Sequence, residues 1–151
     1  MLSLCNWNYG FCNRRVYQEY CEAMKELCSV LMELLGISLG VDGLHYQNFF
    51  EDGGSIMRCN YYPPCNSANL TLGTGPHTDP TSLTILHQDQ VGGLEVFVDN
   101  KWRAVRPRSE AFVVNIGDTF VVRMQTIYVI MFFFLFSMLI ITVAYIIYTC
   151  I

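Results

Sequence analysis

Hydrophobic residues recur at helical spacing in the first part of the chain. Between Arg14 and Leu35 they lie three or four positions apart, at Val16, Tyr20, Met24, Leu27, Leu31 and Leu34. This spacing places them on one face of an amphipathic helix. Gly36 is expected to end that helix. A shorter helix is predicted over residues 43–50, before the Glu51–Gly54 run breaks it.

The pattern changes to short strands after residue 54. Residues 55–62 alternate, so that Arg58, Asn60 and Tyr62 share one face of a predicted strand. Further strands are predicted over residues 82–87, 94–98, 102–106 and 111–116. Asp99-Asn100 is a hairpin signal between two of them. Short strands at this spacing are typical of a β-sandwich or barrel.

The C-terminal segment has a different composition. Residues 127–151 form a run of 25 residues without a charged residue, a glycine or a proline. About 20 apolar residues are enough for a helix to cross a bilayer, so this run is a transmembrane-helix candidate. The last basic residue, Arg123, precedes it, and this bias would keep the N-terminal part in the cytosol. A buried core segment is rejected here, because the run lacks the alternation of a barrel strand or a surface helix.

Composition narrows the class of protein. Charged residues make up 15% and hydrophobic residues 52% of the chain, which excludes a disordered protein. The net charge is −4 and no basic cluster occurs, so nucleic acid is not an expected partner. Seven cysteines, an odd number, occur without a CxxC pair. Together with the lack of a secretory pattern at the N-terminus, this favours reduced intracellular thiols over a disulfide framework.

One short motif carries candidate chemistry. His77 and Asp79 stand two positions apart in GPHTDPTSLTIL, which begins at Gly75. Alternate residues of a strand point to one side, so an imidazole and a carboxylate can meet at one point. They would be two members of the 2-His-1-carboxylate triad of non-haem iron(II) oxygenases. The alternative without chemistry is a capped turn, in which Asp79 accepts backbone N–H groups before Pro80.

Longer motifs surround this pair. They are NYYPPC from Asn60, GTGPHTDPTSLTILHQDQVGGLEVF from Gly73 and FVVNIGDTF from Phe112. With the helical sequence QEYCEAMKELCSVLMELLGISLG, they closely resemble the plant Fe(II)- and 2-oxoglutarate-dependent dioxygenases, and among these the gibberellin 20-oxidases. The resemblance covers about residues 15–120.

The resemblance implies a fold, a site and a reaction. The fold would be a double-stranded β-helix, or jelly-roll barrel, preceded by helices. His77 and Asp79 would bind Fe(II), and Tyr62 and Asn60 would bind the cosubstrate 2-oxoglutarate. On strand evidence alone, Tyr62 is equally well a half-buried aromatic residue. The implied oxidoreductase couples 2-oxoglutarate decarboxylation and O2 to oxidation of a gibberellin precursor, with ascorbate in support, in the cytoplasm.

The chain departs from this family pattern after GDTF. The resemblance implies a second histidine ligand and an Arg-x-Ser pair, but no histidine follows His87 and no arginine follows Arg123. His45 lies in the helical region and His87 lies in a polar turn, so neither is expected to replace that ligand. We therefore expect a truncated chain with little or no activity. A non-catalytic, membrane-tethered fragment is the alternative.

The sequence is predicted to have four parts: an atypical N-terminus (1–14), a helical segment (15–54), a partial dioxygenase barrel (55–122) and a transmembrane-like segment (124–151). Two origins of the last part stay open, a membrane anchor and translated intron sequence. Of the 25 residues from 127 to 151, 17 are Phe, Leu, Ile, Met or Val, whose codons have U at the second position. Valine codons begin with GU, as introns usually do, and Val121 follows the resemblance directly. Translated intron is the favoured origin.

Overall fold

The helical spacing of the first third of the chain becomes helix α1, Gly10–Ser38. The computed structural model describes residues 10–46, 54–64, 66, 70, 72–127, 140–141 and 145–150. It divides the chain into two compact units, Met1–Glu51 and Asp52–Ile151. The boundary falls close to the predicted change from helix to strand.

The buried face of α1 is rotated from the predicted one. Met24, Cys28 and Met32, each four residues apart, are 3–5% exposed, whereas Val16 and Leu34 are 58% and 56% exposed. Met24 therefore belongs to both the predicted and the observed face. Cys28 and Met32 are buried although the predicted apolar face does not include them, and this accounts for the rotation.

The end of α1 differs from the prediction. The helix continues through Gly36 to Ser38, and the residue with positive φ is Gly40, at 74°. Glycine adopts this left-handed conformation without a Cβ penalty, so it suits the position after a helix. The predicted second helix is helical at residues 44–46. Residues 47–50 lie outside the described part of the chain.

The cysteines of α1 differ in state. Cys21 is a thiol, and burial, with a smaller contribution from the neighbouring Glu22 carboxylate, raises its pKa. Cys28, in contrast, is disulfide-bonded. The expectation of reduced thiols is therefore wrong at Cys28, because an odd cysteine count does not reveal which sulfur atoms meet in space.

The second unit is built from antiparallel strands and one further helix. In chain order these are β1 (Ser55–Cys59), β2 (Leu83–Gln88), β3 (Glu95–Val98), β4 (Lys101–Ala104), β5 (Val113–Ile116), α2 (Asp118–Ile127), β6 (Ile140–Ile141) and β7 (Tyr145–Cys150). One sheet has the order β1-β7-β2-β5 and the other the order β4-β3-β6. Every pairing described is antiparallel. This arrangement agrees with the predicted barrel.

The strands lie close to their predicted positions, and the largest difference is at β1. The strand predicted over residues 55–62 ends at Cys59, so Asn60 and Tyr62 follow β1 instead of belonging to it. Asp99 and Asn100 have φ values of 53° and 60°. Two positive φ values define the turn that matches the twist of a tight hairpin, which confirms the predicted β3–β4 turn.

The core of this unit lies along β2. Leu86 of β2 and Leu94, just before β3, are 1% and 0% exposed, and Val105 and Val113 pack against them. The N–H of Val105 donates to the Leu94 carbonyl at 2.8 Å. The residues that flank β3 and β4 thus pack against one face of the β2–β5 pair.

Beyond Ile127, which ends α2, the apolar C-terminal run forms strands where the structure describes it. β7 lies between β1 and β2, with Tyr148 opposite both Met57 and Ile85 in register. The prediction of one transmembrane-like helix over 127–151 is therefore wrong at residues 140–141 and 145–150. Residues 128–139, 142–144 and 151 lie outside the described part.

The physical reason is that a continuous apolar run without alternation does not by itself distinguish a strand from a helix. The β7 sequence, YIIYTC, is rich in β-branched and aromatic residues, which favour strands. No helix among the described residues is long and apolar enough to cross a bilayer. The membrane contact predicted through 127–151 therefore has no support from the described structure.

Candidate metal centre

The predicted metal ligands lie in the segment that leads into β2. His77 and Asp79 approach each other, with 3.6 Å between His77 Nε2 and Asp79 Oδ1. The two side chains are 37% and 17% exposed, so the pair lies at the surface end of the strand rather than in the core. The sequence expectation that the two groups meet at one point agrees with this distance.

The tautomer of His77 is fixed by a backbone contact. Nδ1 lies 2.9 Å from the Gly75 carbonyl oxygen. Because a carbonyl can only accept, Nδ1 is the protonated nitrogen in this hydrogen bond. In the neutral imidazole, Nε2 then carries the lone pair and faces Asp79. Metal-binding histidines are commonly oriented in this way by a carbonyl on their other nitrogen.

One oxygen of the Asp79 carboxylate has no partner among the described residues. Oδ2 is buried and has no hydrogen-bond partner in the described part of the chain. A buried, unpaired polar atom costs about 1–3 kcal/mol, and more when it is charged. A bound cation would remove this cost.

The pair fits a divalent metal ion. Two donors that each lie about 2.1 Å from one ion can be at most about 4.2 Å apart, and the observed separation is 3.6 Å. An imidazole nitrogen and a carboxylate oxygen are also the donor types of the non-haem iron sites. The donors present therefore suit Fe(II).

Backbone hydrogen bonds hold residues 77–82, here called the ligand segment after its two predicted ligands, against the start of α2. The N–H of Asp118 donates to the Asp79 carbonyl at 2.8 Å, and the N–H of Gly117 donates to the Ser82 carbonyl at 2.9 Å. These bonds extend the β2–β5 pairing, in which Leu83 lies opposite Ile116. Asp79, the second predicted ligand, is therefore attached to a different part of the chain.

Side-chain hydrogen bonds reinforce this attachment. The hydroxyl of Thr78 donates to Asp118 Oδ2 at 2.8 Å. The hydroxyl of Thr119 donates to the Pro80 carbonyl at 2.6 Å. Thr78, between the two predicted ligands, and Pro80, after the second, are thus both held by the first turn of α2.

Gly117 is required by a close approach of two backbones. A Cβ atom at this position would lie 1.8 Å from the Thr81 carbonyl oxygen and 3.0 Å from the Asp79 carbonyl oxygen. Contacts this short do not occur, so the backbone would have to move. Only glycine allows the ligand segment to lie this close to the end of β5.

The predicted cosubstrate residues follow β1. Asn60 and Tyr62 are half-buried, and Tyr61 between them is 82% exposed. The Tyr62 hydroxyl lies 2.6 Å from Thr74 Oγ1. Because Thr74 is three residues before His77, this hydrogen bond joins the Tyr62 segment to the chain that enters the ligand pair.

Sequence reasoning gave no role to a buried polar pair on β2 and β5. Thr84 and Asn115 are opposite each other in register and are 1% and 2% exposed. Both amide atoms of Asn115 lack a hydrogen-bond partner among the described residues. The signal was present, since an asparagine in the apolar run FVVNI is unusual for a buried strand.

The other two histidines lie elsewhere. The His87 ring contacts the Phe112 ring edge-on, with centroids 5.7 Å apart. The His45 ring contacts Tyr46 in the first unit. Among the residues that the structure describes, no group of three or more His, Cys, Asp and Glu side chains is placed to hold a metal ion.

Comparisons with known proteins identify relatives of this chain. The chain is 68% identical over 106 residues to gibberellin 20 oxidase 1 of Arabidopsis thaliana, covering 70% of this chain and 28% of the relative. It is 66% identical over 106 residues to gibberellin 20 oxidase 2 of Oryza sativa subsp. indica, covering 70% and 27%. The chain thus spans little more than a quarter of the length of these relatives.

Solved structures share the fold. The crystal structure of JOX2 in complex with 2OG, Fe and JA matches with a TM-score of 0.77 and 34% identity, covering 90% of this chain and 41% of that one. The crystal structure of a dioxygenase for auxin oxidation in rice matches with a TM-score of 0.69 and 27% identity, covering 91% and 46%. Each match therefore takes in most of this chain but less than half of the solved one.

The family follows from these matches and from a family model. The model described as the 2OG-Fe(II) oxygenase superfamily matches residues 53–132, more than half of the chain. That span includes both predicted iron ligands and the Gly117–Thr119 turn. The chain belongs to the 2OG-Fe(II) oxygenase superfamily.

Proposed function

We propose that this chain carries part of the catalytic site of an oxidoreductase of the gibberellin 20-oxidase type. In this proposal His77 Nε2 and the Asp79 carboxylate bind Fe(II). The observation that supports it best is the 3.6 Å distance between His77 Nε2 and Asp79 Oδ1, in a carboxylate whose Oδ2 is buried without a partner among the described residues. The 68% identity to a gibberellin 20 oxidase over 106 residues supports the assignment to this branch of the family.

The cosubstrate residues are part of the same proposal. Asn60 and Tyr62 would bind 2-oxoglutarate through an amide and a phenol, groups suited to a carboxylate or a keto oxygen. The Tyr62 hydroxyl already contacts Thr74, so binding would exchange one hydrogen bond for another. When bound, Fe(II) and 2-oxoglutarate would supply O2-dependent oxidation coupled to decarboxylation, and the substrate proposed from the relatives is a gibberellin precursor.

In this proposal, contacts within the chain position the two metal donors before the substrate is oxidised. The Gly75 carbonyl holds the His77 imidazole in the tautomer that presents Nε2. The backbone of Asp118 holds Asp79 in place. These contacts would orient the two donors toward one bound ion, which would supply the chemistry of the non-haem iron sites.

We expect this chain to bind metal but to turn over little by itself. No histidine follows His87 and no arginine follows Arg123 in the sequence. Two protein donors hold a divalent ion more weakly than three, because each ligand adds to the affinity. Loss of activity in the present chain is therefore expected even if metal binding is intact.

Metal binding tests the site directly. Mn(II) would be titrated into the purified chain, and the free ion would be followed by electron paramagnetic resonance, with and without 2-oxoglutarate. Binding should disappear in His77→Ala and in Asp79→Ala. His87→Ala is the matched control, because its ring lies against Phe112 and should not affect the ion. Equal binding by wild type and both ligand variants would refute the site.

Activity is tested separately. Purified chain would be incubated with Fe(II), ascorbate, 2-oxoglutarate and a gibberellin precursor, and succinate would be measured. We expect succinate near the level without substrate. Robust, substrate-stimulated turnover would contradict the expected inactivity and would show that the chain supplies a complete site.

A further inference from the structure

The two proposed ligands are held by a turn that lies 40 residues further along the chain. We propose that Asp118 is a positioning residue for the metal centre, which it orients through Thr78 and the Asp79 backbone. This inference rests on the proposed function of His77 and Asp79 as metal ligands. It assigns Asp118 a role in setting their geometry rather than in binding the ion.

Asp118 contacts the ligand segment in two places. Its Oδ2 accepts from the hydroxyl of Thr78, the residue between the two ligands, at 2.8 Å. Its backbone N–H donates to the carbonyl of Asp79 at 2.8 Å. One residue therefore fixes both the middle of the ligand pair and its second member.

The ligand pair needs such support because it lies outside the regular strand. β2 begins at Leu83, four residues after Asp79, so a continuous strand ladder does not set the backbone angles of the pair. Thr78 is bonded to both ligands along the chain, at His77 on one side and Asp79 on the other. A hydrogen bond that holds the Thr78 side chain therefore restricts the backbone that carries both ligands.

The hydrogen bonding of the Asp118 carboxylate distinguishes it from a third metal ligand. Asp118 Oδ2 is occupied by the Thr78 hydroxyl, whereas Asp79 Oδ2 is buried without a partner among the described residues. Asp118 is also not grouped with His77 and Asp79 in any set of three side chains placed for a metal ion in the part described. A hydrogen bond to an ionised carboxylate is stronger than one between neutral groups, which suits a support.

Mn(II) affinity of the full chain tests this role. Support residues of metal ligands typically change affinity about 10- to 100-fold when removed. We expect Asp118→Ala and Thr78→Val each to weaken Mn(II) binding about tenfold. Asp118→Asn keeps an oxygen acceptor for Thr78 and should recover most of the affinity. Asp118→Ala and Thr78→Val remove the same hydrogen bond. The double variant should therefore bind Mn(II) only a little more weakly than either single variant.

Two controls separate positioning from general stability. Thr78→Val leaves the first residue of α2 intact, so its effect cannot come from the helix end. Asp89→Ala removes a comparable turn contact, in which Asp89 Oδ1 accepts from the Val91 N–H, and should leave Mn(II) affinity unchanged. Unfolding in urea would be recorded for each variant. The visible spectrum of bound Co(II) would report a change in ligand geometry in Thr78→Val.

The outcomes are distinct. If wild type binds Mn(II) through His77 while Asp118→Ala and Thr78→Val bind equally well, the inference is overturned and the metal site stands. If affinity falls only in proportion to unfolding, and Asp118→Asn gives no rescue, Asp118 has a structural role and the inference is again overturned. If wild type binds no Mn(II), the proposed metal site itself fails.

Discussion

The two segments that carry the predicted site residues are held very differently. The ligand segment, residues 77–82, forms backbone and side-chain hydrogen bonds with Gly117, Asp118 and Thr119. The cosubstrate segment, residues 60–62, is attached through the Tyr62–Thr74 hydrogen bond, and its Tyr61 is 82% exposed. The first segment is fixed by a distant part of the fold, and the second by one described side-chain contact.

This difference matches what each segment is proposed to bind. A metal ion needs donors held within about 0.5 Å of their working positions, and neighbouring contacts must supply that accuracy. A hydroxyl that meets an organic anion can instead exchange one hydrogen bond for another when the anion arrives. The comparison predicts that substitutions at the ligand segment cost more stability than substitutions at the cosubstrate segment.

Gly117→Ala should have the largest effect. Its Cβ would lie 1.8 Å from the Thr81 carbonyl oxygen, and backbone cannot yield as a flexible side chain can. We expect a loss of about 3 kcal/mol or more in the free energy of unfolding, at the upper end of overpacking effects. Urea unfolding followed by circular dichroism would measure it.

Gly75→Ala is the matched control for that change. Gly75 belongs to the same motif, but a Cβ there would meet nothing within 4 Å. The variant should unfold at nearly the same urea concentration as wild type. A Gly117→Ala variant as stable as Gly75→Ala would show that the ligand segment does not depend on its close approach to β5.

Asn115→Leu tests a buried polar side chain on β5, the strand whose end lies close to the ligand segment. Both amide atoms of Asn115 are buried without a partner among the described residues. Replacing such a group with an apolar one of similar shape recovers about 1–3 kcal/mol, so the variant should be more stable than wild type. Asn60→Leu, at a half-buried position, should give no such gain. Destabilisation by Asn115→Leu would mean that the amide is already satisfied.

The predictable features of this fold are local ones. Asp99-Asn100 specifies its hairpin through two adjacent residues that tolerate positive φ. β2 lies within one residue of the predicted strand because its residue types favour strands without reference to the rest of the chain. The approach of His77 to Asp79 was predictable for the same reason, since a spacing of two residues allows the two side chains to meet.

The features that sequence did not predict depend on distant contacts. Gly117-Asp118 reads as a turn, and only the fold shows that it packs on residues 78–82. Helix α2 was missed because DTFVVRMQTI contains β-branched residues with low helix propensity. β7 was mistaken for a membrane helix because hydrophobic pattern cannot distinguish an interior strand from a buried helix.

Thr119→Val should destabilise the ligand segment less than Gly117→Ala does. It removes the hydroxyl that donates to the Pro80 carbonyl at 2.6 Å and keeps the side-chain shape. We expect a loss of about 1 kcal/mol, the usual net value of one hydrogen bond. Thr119→Ser keeps the hydroxyl and should lose less. Equal losses in both variants would assign the effect to packing of the methyl group.

The smallest effect is expected at the cosubstrate segment. Tyr62→Phe and Thr74→Val each remove one partner of the 2.6 Å Tyr62–Thr74 hydrogen bond. Because both groups are only partly buried and water can replace the lost partner, each variant should lose about 0.5 kcal/mol, the low end for a hydrogen bond. A double-mutant cycle in urea would give their coupling energy. A coupling as large as the Thr119→Val effect would mean that the cosubstrate segment is fixed as firmly as the ligand segment. Tyr62 would then have to break a strong contact before it could bind 2-oxoglutarate, and the division between a fixed metal site and an adjustable cosubstrate site would fail.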